Sequence, residues 1–232
     1  MQWDQEKTLS SIEDCNHYYA ESELNVQVNQ LYPGYELLPD GRSLELYLGY
    51  KKYHKVKDII EKSFGLDLNK YRHLRPLFLQ GIIDNMIASD HKPSLALDHY
   101  LHNHAQSAGL IMGGVETIHE QMDIIPQLAV DDQLSVLLKI ARNPAGYRRR
   151  IRKMIAKYNA GDGLGLYRLG KKQLGKYRKL MLYDRNLLMA ERITSFLGLE
   201  KSFVAIGAGH LYGSTGVIHS LRKNDFRVEV TG

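Results

Sequence analysis

The sequence predicts an α/β protein with a central, mostly parallel sheet flanked by many helices and a helix-rich middle. Three observations carry this expectation. Short aromatic or apolar segments at residues 17–21, 110–115 and 203–206 read as strands. Amphipathic stripes at helical spacing fill most of the intervals between them. A Gly-rich turn, Gly207-Ala208-Gly209-His210, leads directly from the last of those segments into a helix, as at the strand ends of open α/β sheets.

With 232 residues the chain can bury one core of ordinary size, and it is read as a single domain. Hydrophobic residues make up 44% and charged residues 25%, a globular balance that disfavours disordered and collagen-like chains. One cysteine, Cys15, excludes an internal disulfide and a multi-cysteine zinc site, and reads as a small packing residue. No apolar run approaches the roughly 18 residues needed to cross a bilayer. The first residues are polar and acidic rather than signal-like. The compartment stays open between an exported or periplasmic protein whose signal has been removed and a cytoplasmic one.

The net charge of +5 is unevenly spread. Residues 142–179 carry 13 Lys and Arg against one acid, Asp162, so the remainder holds 18 basic and 25 acidic residues, a net of −7. One basic surface follows, able to meet nucleic acid, an anionic membrane or an acidic partner.

In chain order, residues 5–11 suit a short polar helix, and residues 17–21 a strand ending in the carboxylate of Glu21. Turns follow at Tyr32-Pro33-Gly34 and Asp40-Gly41. Tyr53, Val56, Ile60 and Phe64 form one helical stripe; Pro76 opens another with Leu79, Ile82, Ile83, Met86 and Ile87. Ser94 is placed to cap a helix whose stripe is Leu97, Leu101, Ala105 and Ala108, closed by Gly109. The strand at 110–115 ends in Glu116, and Thr117 with Glu120 forms a capping-box pattern for the next helix.

Asn143-Pro144-Ala145-Gly146 separates two helices, the second basic with Ile151, Met154, Ile155 and Tyr158 on its apolar face. A helix at 183–197 turns Met189, Ile193 and Phe196 one way, and Gly198 stops it. The run 203–206 is continuously apolar, as expected of a strand covered on both faces. After the Gly-rich turn, a short helix with Val217, Ile218 and Leu221 leads to alternating residues 226–230, which suit an edge strand and would complete a βαβ unit.

His210 is well placed for chemistry: two glycines let the backbone turn sharply beside a ligand, and an imidazole supplies a metal-ligand nitrogen or a general base. An ordinary tight turn with an incidental histidine remains the alternative. Gly207, Gly209 and Gly213, with Glu229 about 20 residues on, also resemble a dinucleotide loop. That match is imperfect, since the spacing is GxGxxxG and the helix is short. Glu21 and Glu116 each end a strand, so parallel pairing with 203–206 would bring both carboxylates toward His210. Such a set suits a divalent metal ion and an activated water, with one carboxylate as general base. Taken singly, each glutamate also reads as a polar strand end.

Arg185 and Asn186 precede the Met189 stripe by three or four residues, so both lie beside the core and need partners. Either a substrate role or an ordinary salt bridge and capped turn would supply them. Asp98, His99, His102 and His104 fall mostly on the polar side of one helix, and Arg148-Arg149-Arg150-Ile151-Arg152-Lys153 reads as the wet side of another.

Several of these features share one order: CNHYYAESEL at 15–24, Leu97-Asp98, Gly114-Val115-Glu116-Thr117 with Glu120-Gln121, Asp184-Arg185-Asn186 with Met189-Ala190, and Gly207-Ala208-Gly209-His210-Leu211 with Gly213. The series resembles the TraB/PrgY/GumN family, related to the Tiki proteases and the erythromycin-esterase/ChaN-like group. The resemblance implies an α/β sandwich and a metal site built from two GxxH motifs plus acidic and Arg/Asn residues. By that likeness His210 is a metal ligand, and Glu21 and Glu116 are metal-site or catalytic carboxylates. Arg185 and Asn186 support the site, and Gly207, Gly209 and Gly213 shape the binding turn. The family's first GxxH lies upstream of the position matched by Glu21, and residues 1–14 contain no histidine. The chain is therefore expected either to be N-terminally shortened relative to the family or to lack that half of the site.

The leading expectation is a metal-dependent hydrolase of peptide-like substrates, with a divalent metal ion as cofactor and a peptide or protein as partner. The alternative is a non-catalytic peptide-binding or regulatory protein that retains the family pocket. Nucleic-acid or membrane binding by the 148–153 face ranks third, and the oligomeric state is open.

Overall fold

A computed structural model describes residues 4–24, 27–89, 96–198 and 200–229. In chain order the elements are α1 (Gln5–Glu13), β1 (His17–Ser22), α2 (Val28–Leu31), α3 (Leu44–Leu48), α4 (Tyr50–Phe64), α5 (Pro76–Ala88) and α6 (Leu97–Ser107). There follow β2 (Ile111–Glu116), α7 (Ile118–Met122), α8 (Val130–Arg142), α9 (Pro144–Asn159), α10 (Gly163–Leu174), α11 (Asp184–Phe196), β3 (Ser202–Ala205), α12 (Ala208–Leu211) and α13 (Val217–Lys223). This is the α/β class expected, with a parallel sheet among many helices.

The residues cluster into two compact units. The first takes 1–27, 95–124 and 156–232; the second takes 28–94 and 125–155. In the first, the strands form a sheet of order β2-β1-β3, all parallel, with Tyr18 opposite Met112 on one side and Phe203 on the other. Because side chains alternate across a strand, β1 divides its residues between two cores. Tyr18 and Ala20 join Ile12, Leu101 and Ala105 of α1 and α6 on one face. Tyr19 faces the other, stacked on Phe196 with ring centroids 4.0 Å apart, beside Val115, Met189, Ile193, Val217 and Leu221. The second unit is helical. Its core joins the expected stripe Tyr53, Val56, Ile60 and Phe64 to Leu79, Ile83, Leu137, Ile140 and Ile151.

Local chemistry sets the helix ends. Asp4 accepts from the Lys7 amide at the start of α1, and Thr117 and Glu120 form the complete capping box of α7. Gly65, at φ 75°, closes α4 in the left-handed conformation that a β-carbon disfavours. The cap expected at Ser94 lies outside the described residues; α6 begins after Ala96 without a side-chain cap.

Three expectations are corrected. Phe226 to Glu229 form no strand: the Val228 carbonyl accepts from Arg222 Nη2 (2.8 Å), and Phe226 and Val228 pack on the α11–α13 side, so no second parallel strand completes a C-terminal βαβ unit among the described residues. By contrast, the segment read as covered on both faces is so: in β3, Phe203 and Ala205 pack on the α1–α6 side and Val204 on the α11–α13 side, although the strand lies at the edge of the sheet and its four residues are each half-buried. Its continuous hydrophobicity reports one covered face on each side of a narrow, three-stranded sheet rather than a central position. Tyr158 is exposed, because α9 outruns the core it packs against. His102, placed on the polar side of α6, is buried edge-on against the Tyr18 ring, at a centroid distance of 6.3 Å.

Candidate functional site

Since all three strands are parallel, their carboxyl ends lie on one side of the sheet, and that is where the acidic, basic and imidazole side chains meet. Glu21 is the penultimate residue of β1 and Glu116 the last of β2. Two residues after β3, Gly207 begins the turn into α12, which carries His210. Glu21 shares its face of β1 with Tyr19, toward α11, so side chains from α11 can reach the strand ends.

The sequence of α11 supplies two of them, Arg185 and Asn186. A π-helical turn at Lys179–Tyr183 runs into α11 with Arg178 and Asp184 both in the right-handed helical conformation. Asn186 then falls in register with the buried residues Met189, Ala190 and Ile193, and Arg185 lies one residue to the side. Arg185 Nε donates to both oxygens of Glu116 (2.9 and 3.1 Å), and its Nη2 donates to Glu21 Oε1 (2.7 Å) and also contacts Glu116 Oε2. Gln121 adds a donor to Glu116 Oε2 (3.3 Å). One guanidinium therefore links the ends of two strands.

Glu21 turns its other oxygen to the Gly207 amide (2.8 Å). A β-carbon on Gly207 would come within 2.9 Å of that same oxygen and would push the Glu21 carboxylate aside. Gly213, at φ 94°, sits where a β-carbon would meet the Tyr167 ring of α10; it shapes the end of the turn. Gly209 has open space beside it.

His210 is buried, with Nδ1 2.6 Å from Asn186 Oδ1 and Nε2 3.8 Å from Glu21 Oε1. An amide oxygen only accepts, so Nδ1 carries the proton and Nε2 presents its lone pair. Asn186 is wholly buried, and its Nδ2 has no hydrogen-bond partner among the described residues. Burial pushes the His210 pKa down, and Arg185 adds to this, against the opposing pull of Glu21 and Glu116. Burial pushes Glu21 up, but His210, Arg185 and the Gly207 amide outweigh it and hold its carboxyl below the usual range. With His210 neutral above its lowered pKa, Arg185 and Gly207 are the groups that stabilise the Glu21 carboxylate at neutral pH. Arg185, despite burial, is raised by its two glutamates.

The structure thus brings together Glu21, Glu116, Arg185, Asn186, Gly207 and His210. Asp98, His99, His102 and His104 stay apart from them: His104 pairs with Glu13 (3.0 Å), and His102 packs on Tyr18. Arg192 is one residue the sequence reading passed over. It donates to the Val115 carbonyl (2.8 Å) and to both Glu120 oxygens (2.7 Å each), fastening α11 to the end of β2. Its position seven residues after Arg185, on the same side of the helix, was the available signal.

The sequence model of the TraB/PrgY/gumN family matches residues 1–230. The chain belongs to this family. Curated relatives at similar distance are the Metalloprotease TIKI2 of Danio rerio, 24% identical over 84% of this chain and 48% of the relative, and that of Xenopus tropicalis, 25% identical over 84% and 41%. The Metalloprotease TIKI homolog of Nematostella vectensis is 24% identical over 77% of this chain and 46% of its own length. The family chain described here therefore spans less than half the length of each of these relatives. No solved structure matches it significantly. None of its described helices is long and apolar enough to cross a membrane.

As a test of whether these residues suit a metal ion, the donor set is instructive. His210 Nε2 and Glu21 Oε1 are two adjacent donors of the right chemistry, and the Asn186 bond to Nδ1 is the kind of support that orients a ligating imidazole. Both Glu116 oxygens are already bonded to Arg185, and the two Glu21 oxygens to Arg185 and the Gly207 amide, so either carboxylate would share or exchange a hydrogen bond to bind an ion. Among the described residues no group of three or more His, Cys, Asp or Glu is arranged to hold a metal ion. The residues fit as one half of a site, which needs further donors to reach the three protein ligands usual for catalytic zinc.

Proposed function

We propose that the chain is a metal-dependent hydrolase of peptide-like substrates, of the Tiki type, and that the family domain functions as one unit through both compact parts. The observation that supports this most is the His210 ring: Asn186 fixes its tautomer and leaves Nε2 free beside the Glu21 carboxylate. His210 and Glu21 would hold a divalent cation, with further donors from outside the described set. A bound cation of this kind polarises a carbonyl and lowers the pKa of its water.

The chain's own residues do the rest. A depressed pKa makes Glu21 a better ligand than proton acceptor at neutral pH. Glu116, Glu21 and Arg185 lock one another in place, and a ligand role for Glu116 would require Arg185 to release an oxygen. Asn186 holds the His210 ring in place from within the core, and Gly207 keeps the turn close to Glu21.

The test is calorimetric titration of the full-length protein with zinc and manganese, alongside turnover of a peptide library. Binding that disappears in His210→Ala supports the reading; no metal uptake and no hydrolysis by the parent would overturn it.

A second reading is favoured by a specific observation: Arg185 bonds to both carboxylates and the Gly207 amide takes the other Glu21 oxygen, which leaves His210 Nε2 as the one site donor without a hydrogen bond among the described residues. On this reading the chain is a non-catalytic peptide-binding or regulatory protein that keeps the family pocket. It expects ligand binding without turnover, and is refuted by turnover that Glu116→Gln abolishes while the fold survives.

A further inference from the structure

Helix α9 contains no acidic residue and places Arg148, Arg149, Arg150, Arg152 and Lys153 within two turns. Two of these cations are used inside their own compact unit. Arg148 Nη2 donates to the Ser63 carbonyl, with its guanidinium 5.4 Å from the centroid of the Phe64 ring. Arg150 lies 4.7 Å over Tyr147, close enough to Asp84 to lower that carboxyl's pKa against the burial that raises it.

The other three differ. Arg149, Arg152 and Lys153 are exposed and have no ion-pair partner among the described residues. They stand at i, i+3 and i+4, so their β-carbons are about 5–6 Å apart on one face. Like charges at this spacing repel, and an ordinary solvated helix relieves this by mixing signs. Helix α4 of the same unit does so, with Lys57 3.5 Å from Asp58 and 3.8 Å from Glu61. The triad on α9 has no such relief.

We propose that Arg149, Arg152 and Lys153 form a docking surface for an acidic segment of a protein; in naming a protein partner, this rests on the hydrolase reading above. Arginine forks suit carboxylates bidentately, and the lysine beside them adds a point charge. The competing polyanions fit less well. The apolar stripe of α9, Tyr147 and Ile151 with Met154 and Ile155, is turned into the core and has nothing to insert into a membrane. Three cations at about 1 kcal/mol each hold a lipid surface weakly. No aromatic ring stands among the three to stack a nucleic-acid base.

Fluorescence anisotropy of a fluorescein-labelled oligoglutamate peptide with the full-length protein tests this. Binding is expected at low salt, weakening about tenfold at moderate salt. The Arg149→Glu/Arg152→Glu/Lys153→Glu variant should lose at least about tenfold in affinity, with the milder triple glutamine variant between it and the parent. Lys51→Glu/Lys52→Glu on α4 should stay within about twofold, and His210→Ala should bind as the parent does. No binding by the parent, or binding indifferent to the α9 substitutions, overturns the proposal. So does tighter α9-dependent binding of a single-stranded oligonucleotide or of phosphatidylserine vesicles. If parent and His210→Ala both bind oligoglutamate but the parent takes up no metal and hydrolyses nothing, the hydrolase reading fails and the docking surface stands.

Discussion

Arg185 and Glu116 form a buried ion pair between the start of α11 and the end of β2, with Nε 2.9 and 3.1 Å from the two carboxylate oxygens; the Glu116 side chain is 1% exposed. Removing the cation leaves two carboxylates facing each other with no counter-charge. Arg185→Met is therefore expected to cost about 3–5 kcal/mol in urea unfolding. Arg185→Lys, which keeps the charge but loses the fork, should fall between it and the parent. A methionine variant as stable as the parent would show that the pair does not hold these elements together.

Asn186 accepts from His210 Nδ1 at the centre of the site. Asn186→Leu leaves that N–H buried and unpaired, at a cost of about 1–3 kcal/mol. On the hydrolase reading it should also weaken divalent-metal binding by about 10–100-fold. Calorimetry on Asn186→Leu and Asn186→Asp, which keeps an acceptor, separates orientation of the ring from bulk packing: equal losses in both would argue against orientation.

Glu120 and Arg192 give a pH signature away from the proposed metal ligands. The Arg192 hydrogen bonds, with help from Thr117, outweigh partial burial and hold the Glu120 carboxyl at about 2, against an ordinary value of 4.5. The folded pKa is depressed, so the stabilisation is fully present above about pH 4.5 and fades as pH falls toward 2. With the Glu120 side chain 36% exposed, solvent screening limits its size to about 1 kcal/mol. Urea midpoints between pH 2 and 6 should show a shallower acid-side loss in Glu120→Gln than in the parent; parallel curves would contradict the assignment.

Gly213 combines a left-handed backbone with contact from Tyr167. Gly213→Ala should destabilise by more than about 1 kcal/mol. Adding Tyr167→Ala should relieve the contact but leave the backbone strain, which differential scanning calorimetry of the single and double variants can read. Full recovery in the double variant would assign the whole effect to the ring.

Much of the fold was legible because its signals are local. The stripe Tyr53, Val56, Ile60, Phe64 and the capping box at Thr117 depend on residues three or four apart, and both stand as read. Helix α10 went unread: Gly163, Gly165 and Gly170 interrupt its pattern, and its packing against α12 compensates for their low propensity. The edge position of β3 was also beyond reach, because a run of four apolar residues looks the same in the middle of a sheet and at the margin of a narrow one.

By itself the sequence determined the family, the α/β class and the residue types of the candidate site: a GAGH turn, two strand-end glutamates and an Arg-Asn pair. Only the tertiary structure decided how they are connected. That Arg185 spans Glu21 and Glu116, that Asn186 rather than a carboxylate orients His210, and that Gly207 donates to Glu21 are contacts between residues 24 to 186 positions apart. Parallel strand order and the register of α11 create them, and neither is encoded in the spacing of any one motif.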